Sequence, residues 1–168
     1  MTTHPIFFTA TFLEWKHLLK PDKYKDIIIN CLQFLVENNR IKLYAFVIMN
    51  NHIHLIWQMK DIFSVDNIQR DFLRFTAQQI KFDLQKNHPD ILPFFEVNAK
   101  DRQYQFWERN SLSIEIRTEK VFLQKMNYIH QNPVKAGLCA SPEEYKYSTA
   151  LFYEKNIRNW SFITHFRD

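Results

Sequence analysis

The chain has 168 residues, enough for one domain and hardly enough for two. Its net charge of +4 and pI near 9.0 permit a nucleic-acid partner without requiring one, and its lone glycine, Gly137, excludes Gly-rich phosphate loops. Cys31 and Cys139 lie too far apart for a disulfide framework or a metal-type spacing, and there is neither a basic-then-apolar leader pattern nor an apolar run near 18 residues, so a reducing cytoplasm and no membrane are the default expectation.

Ile6 to Phe12, rich in β-branched and aromatic residues, predicts a first strand. From Asp22, apolar residues recur at three and four (Ile27, Ile28, Cys31, Leu32, Leu35), which predicts a helix closed near Asn38-Asn39. Ile41–Met49 and His52–Met59 read as a second and third strand. Asn50-Asn51 makes the tight turn between them, since Asn tolerates left-handed dihedrals. Val65–Lys86 reads as a long helix with Ile68, Phe72, Phe75, Ile80 and Leu84 on one side, followed by a loop around Pro89 and Pro93. Tyr104–Glu108 is read as a short strand, and Ser111–Arg117 as a half-buried one with Leu112, Ile114 and Ile116 inward. Thr118 can cap a last helix through about Asn132, which Pro133 would end. The order predicts an α+β fold, a mostly antiparallel sheet with helices on one face. Residues 1–168 then form a single domain, with 139–168 as a C-terminal extension.

Three features carry chemistry. His52 and His54 alternate on the third strand, so both imidazoles project to one face while Ile53 and Leu55 face the core. Two neutral imidazoles can hold a divalent cation and leave positions open for substrate oxygens; an ordinary solvated or hydrogen-bonded pair has the same spacing. On the last helix, Phe122, Leu123, Met126 and Ile129 form an apolar stripe, and Tyr128 falls roughly 150° from its centre. It shares its side with Gln124, Gln131 and Asn132. Asn132 is one turn on, so its amide oxygen can reach the same point in space. A phenol is a poor nucleophile at neutral pH, and a nearby cation would favour the phenolate. A tyrosine at a helix edge with its hydroxyl in water would look the same. At 16%, the aromatic content is high, and bases stack well on aromatic faces.

Phe106-Trp107-Glu108-Arg109 could stack a base and touch a phosphate, or could close the core as a strand rim. Arg70, Arg74 and Lys81 mark the outer side of the long helix, either as a solvated face or as a groove that tracks a nucleic-acid backbone. Lys135 could contact DNA or simply favour the negative end of the helix dipole. His130, nearer the apolar stripe, is expected to be structural.

The segment Ala45–Leu55, containing Asn50-Asn51-His52-Ile53-His54, resembles the HUH strand of single-tyrosine transposases. Asn127–Leu138 (Asn-Tyr-Ile-His-Gln-Asn-Pro-Val-Lys-Ala-Gly-Leu) resembles the tyrosine helix of the REP-associated tyrosine transposases, and Phe106–Asn110 and Tyr145–Thr149 resemble that group in the same order. The likeness runs from about Phe7 to Tyr153. The Gly-rich, Arg-containing opening that REP-associated members often have is not seen. The resemblance implies a ferredoxin-like sheet, His52 and His54 as metal ligands, and Tyr128 as nucleophile. It places Asn132 as the third protein ligand, where some relatives carry Gln, with Gln131 as the fallback. It further implies Mg²⁺ or Mn²⁺, hairpin-flanked single-stranded DNA as substrate, a 5′-phosphotyrosine intermediate, and a homodimer or a monomer. A ferredoxin-like module that binds nucleic acid without chemistry is the competing reading. A small metal-dependent hydrolase ranks last, for want of a carboxylate near either histidine.

Overall fold

The computed structural model describes residues 4–60 and 63–168. Strands β1 (Ile6–Thr11), β2 (Ile41–Ile48), β3 (His52–Met59) and β4 (Leu112–Glu115) form one antiparallel sheet. Its order is β2-β3-β1-β4. Helix α1 (Asp22–Glu37) joins β1 to β2, α2 (Val65–Asn87) joins β3 to β4, and α3 (Glu119–Lys135) follows β4. A βαββαβ chain whose two crossovers each skip a strand gives this ferredoxin-like order. The expected α+β class and antiparallel sheet are therefore those of the protein. Among the described residues no helix is long and apolar enough to cross a membrane.

Side-chain alternation divides the strands between two cores. Ile6, Phe8, Ala10 and Phe12 of the β1 region, with Ile53, Leu55 and Trp57 of β3, point to the face covered by α1 and α2. Phe7, Ala45, Val47 and Ile56 point the other way and pack with Phe122 and Ile129 of α3. The helices are therefore not confined to one face, as the sequence had suggested they would be: α1 and α2 share one, and α3 covers the other because Phe7, Ala45, Val47 and Ile56 make that face apolar as well. That second layer brings α3 onto the face carrying His54.

Several local expectations yield to tertiary context. Along α2 the buried ridge is Ile68, Phe72, Thr76, Ile80 and Leu84, and Phe75 is left 48% exposed. Thr76 can occupy the core because its hydroxyl donates to the Phe72 carbonyl (2.9 Å) and accepts from the Trp107 indole (3.1 Å). Tyr104–Glu108 makes only isolated bridges, to Glu96 through Tyr104 and to Phe12 through Trp107. On the edge strand β4, Leu112 points outward at 49% exposure, and burial is reached only at Ile116. In α3, Leu123 stays 38% exposed, while Phe122, Ile129, His130 and Pro133 are buried.

Pro133 does not end α3. In the final turn its missing N–H leaves one carbonyl without a helical partner. The turn is closed instead by Gly137 N–H donating to the Val134 carbonyl (3.0 Å) and Leu138 N–H to the Pro133 carbonyl (2.9 Å). Gly137, at φ +75°, supplies the left-handed residue this closure needs. Asn132 is thereby held inside a regular turn rather than at a frayed end.

The 139–168 segment folds back along β2. Ile48 N–H donates to the Tyr147 carbonyl (2.9 Å) and Thr149 N–H to the Phe46 carbonyl (3.1 Å), so the sheet edge is covered. A short helix, α4 (Ala150–Lys155), follows.

A polar clamp joins α1 and α2 in the other layer. Asp83 of α2 accepts from Tyr24 Oη (2.6 Å) and Lys23 Nζ (2.8 Å) of α1, and from Asn87 of its own helix (2.7 Å). Lys23, then Tyr24, hold the Asp83 carboxyl down at about 2, against 3.8 for a free one. A lowered carboxyl stabilises the fold while it is ionised in both states and loses that contribution as pH falls through the folded value. Asp83→Asn should therefore cost about 1 kcal/mol at pH 7. Thermal melts should show the gap to the parent closing as pH falls from about 4 toward 2.

Candidate functional site

Thr9 and Thr11 of β1 lie opposite His54 and His52 of β3 in the strand register. The two imidazoles project to the α3 side, with ring centroids 4.8 Å apart. α3 crosses them with its exposed edge. The Tyr128 ring stands edge-on to His54 at 5.2 Å and to Phe7 at 6.2 Å. Asn132 Oδ1 lies 3.1 Å from His52 Nε2. Four residues of helix rise about 6 Å and two residues of strand about 6.7 Å. One turn of α3 is thus commensurate with the histidine spacing, pairing Tyr128 with His54 and Asn132 with His52. All four side chains meet within one chain.

Each histidine has its Nδ1 engaged by a protein oxygen. His52 Nδ1 donates to Asn51 Oδ1 (2.6 Å), and the other end of that amide donates to the Trp15 carbonyl (3.4 Å). His54 Nδ1 lies 2.7 Å from Thr9 Oγ1. This is the arrangement that orients a metal-ligating imidazole: the outer nitrogen is tied down and Nε2 is left for the ion. Burial lowers the pKa of His52, although Asn132 partly opposes this. Burial, then the positive charge of His52 and of Lys125, lowers His54 to about 3. Both rings are neutral near pH 7, as ligation requires.

The donor set suits a cation. With Nδ1 of His52 carrying the proton, Nε2 is an acceptor, and so is Asn132 Oδ1 beside it. In that tautomer two acceptor atoms stand 3.1 Å apart, and a cation placed against them would be held by both. Among the described residues no group of three His, Cys, Asp or Glu side chains converges, and the Asn132 amide is the further oxygen donor that lies against the histidine pair.

The remaining expectations divide. Gln131 is half-buried, and it is Asn132 rather than Gln131 that contacts His52. Lys135 lines a groove beside His52 and Asn132. His130 is structural: it is buried, bonded through Nε2 to Thr149 Oγ1 (2.8 Å), and lowered to about 4 by burial. Trp107 is not a base-stacking platform. It is 7% exposed, stacked on Phe12 at 4.0 Å and tied to Thr76, because its bridge to Phe12 draws it into the core. Arg70, Arg74 and Arg109 are exposed and line a groove of about 480 Å³ with Arg102. That groove lies against α2, on the other side of the sheet from Tyr128. The sheet face that a base-stacking module would present is covered by α3, and its Phe7 is 3% exposed.

Thr9, Asn51 and Lys125 were not found from the sequence. The signal for Thr9 was a polar residue at an alternate position of an otherwise apolar strand. For Lys125 it was a basic residue three before Tyr128 on the same helical side.

No protein-family model matches the sequence, and no curated protein is similar to it. Among solved structures, the fold is similar to that of a REP-associated tyrosine transposase bound to a REP hairpin. That match has a TM-score of 0.69 and 16% identity, and covers 98% of this chain and 86% of that one. A candidate transposase from Deinococcus radiodurans R1 is also similar, with a TM-score of 0.50 and 13% identity over 77% of this chain and 91% of that one. The chain has the mixed α+β fold of these two structures.

Proposed function

We propose that this protein is a metal-dependent DNA strand transferase of the single-tyrosine type, acting on single-stranded DNA flanked by hairpins. The observation that carries the reading is the delivery, by one turn of α3, of Tyr128 to His54 and Asn132 to His52. The fold shared with a transposase bound to a REP hairpin supports the same substrate class. Tyr128 beside His54 of its own chain supports a site assembled within one protomer, whether or not the protein dimerises. In this reading residues 1–168 form one catalytic unit, cytoplasmic in location, and the 139–168 extension covers the β2 edge.

Tyr128 is the nucleophile. Its oxygen attacks phosphorus in line, the bond from phosphorus to the 3′ oxygen breaks, and the phosphate remains on the tyrosine as a 5′-phosphotyrosine. The phenol gives up its proton and the departing 3′ oxygen takes one up. One phosphate ester replaces another, so the step reverses onto a second 3′-OH without nucleotide hydrolysis. His52, His54 and Asn132 would hold Mg²⁺ or Mn²⁺, which when bound draws charge from the scissile phosphate. Asn51 and Thr9 fix the two imidazoles. Lys125, whose charge is felt at His54, adds positive potential where the phosphate must sit.

The direct test is a labelled hairpin-flanked oligonucleotide incubated with the protein. A covalent adduct that survives denaturation, is suppressed by EDTA and is absent from Tyr128→Phe supports the reading. Binding indifferent to EDTA, with no covalent product on any hairpin substrate, leaves a binding module instead. A further expected outcome concerns Thr9. Thr9→Val keeps the side-chain shape and removes the oxygen on His54 Nδ1, so Mn²⁺ affinity should fall about 10- to 100-fold with the fold intact. Calorimetric titration of Mn²⁺ checks it, and unchanged affinity would mean that Thr9 does not orient His54.

A further inference from the structure

Trp15 stands apart from the other tryptophans. Trp57 and Trp107 are buried, and Trp160 donates its indole N–H to the Lys146 and Ser148 carbonyls (both 3.2 Å). Trp15 is 62% exposed, and its ring lies 6.1 Å from that of His52. Burial of apolar surface therefore does not explain its position.

Its backbone is strained as well. Glu14 and Trp15 are consecutive left-handed residues, at φ 55° and 58°. For a bulky side chain that conformation is a genuine outlier, and such strain persists only where the surroundings over-determine it. Here they do. Leu13 N–H donates to the Phe106 carbonyl (2.7 Å), Glu14 N–H to Glu108 Oε1 (2.7 Å) and Trp15 N–H to the Phe12 carbonyl (3.0 Å). The Trp15 carbonyl accepts from Asn51, the amide that orients His52. The Trp15 backbone is thus fixed relative to the candidate ligand, and its indole projects into solvent beside the His52 ring.

A groove of about 390 Å³ passes His52 and Asn132, lined also by His17, Asn50 and Lys135. Beside the apolar Met49, Ala136 and Leu138, it offers the Asn50 and Asn132 amides and the Lys135 ammonium, groups that can pair with a sugar-phosphate backbone. An aromatic platform beside a basic groove is the arrangement by which proteins hold single-stranded nucleic acid, since every base has a face to stack and an unpaired base leaves it free. We infer that Trp15 is a stacking platform for an unpaired DNA base next to the scissile phosphate, positioning the strand at the His52 side of the site. The inference rests on the strand-transfer reading for its substrate.

The test separates the two. In a Tyr128→Phe background with Mn²⁺ present, where the missing nucleophile prevents a covalent product, anisotropy reads the binding of a labelled single strand of roughly 12 nucleotides and of its duplex. Trp15→Ala should weaken single-strand binding about 10- to 100-fold. Trp15→Leu should do the same, and Trp15→Phe should restore affinity to within about threefold of the parent. Duplex binding should be unmoved by all three. Single-strand affinity unchanged in Trp15→Ala, or restored by Leu as well as by Phe, overturns the stacking role alone. A parent protein that binds no single strand overturns both this role and the strand-transfer reading.

Discussion

Tyr128→Phe is expected to abolish adduct formation while leaving the fold and single-strand binding as they were. The substitution removes one oxygen. The ring keeps its edge contacts with His54 and Phe7, and at 45% exposure the change in stability should stay within about 0.5 kcal/mol. Loss of a nucleophile, by contrast, lowers rates by on the order of 10⁴-fold or more. The other tyrosines offer no substitute. Of the seven in the chain, five donate their hydroxyls into the fold: Tyr24 to Asp83, Tyr44 to Gln58, Tyr145 to the Ile48 carbonyl, Tyr147 to Asp26 and Tyr153 to the Tyr44 carbonyl. In all five, burial raises the hydroxyl pKa and so opposes the phenolate. The sixth, Tyr104, lies under Lys81 against α2. Denaturing gels of labelled oligonucleotide, with melts of both proteins, check the outcome. An adduct persisting in Tyr128→Phe would remove Tyr128 from the chemistry.

How much of this was legible in the sequence depended on whether the information was local. Strand alternation placed His52 and His54 on one face, and helical rotation placed Tyr128 and Asn132 on one edge of α3, because both are properties of a single element. The length of α3 was misread. Pro133 and its predecessor argue locally for termination, but the closure at Gly137, four residues later, stabilises the turn that holds Asn132. That α3 covers the face opposite α1 and α2 was not legible, since an amphipathic stripe does not say which side of a sheet it will meet. Trp107 shows the same limit: its motif reads equally as platform or core, and only the contacts with Phe12 and Thr76 decide. Thr9, Asn51 and Trp15 act through partners 45, 1 and 36 residues away, and the two distant pairings arise from the way the chain folds back.

The assignment of the cation ligands makes a second, separable prediction. A ligand that binds only the folded state adds about 2.7 kcal/mol at a hundred times its dissociation constant. For a domain of this size that raises Tm by roughly 8 °C. Mn²⁺ is the more informative titrant, because two of the three donors are imidazoles, which Mg²⁺ takes less readily than oxygen. The parent should show the shift and His52→Ala should not, since that substitution removes a donor whose ring Asn51 holds in place. Asn132→Ala should lose most of it, and Gln131→Ala should match the parent, because the Asn132 amide, not that of Gln131, lies against His52 Nε2. In the metal-free protein Asn132→Ala should cost little, as it removes one of two facing acceptors. A shift abolished by Gln131→Ala and kept in Asn132→Ala would transfer the third position to Gln131. A parent indifferent to Mn²⁺ would end the cation reading and still leave the Tyr128 experiment to be decided on its own.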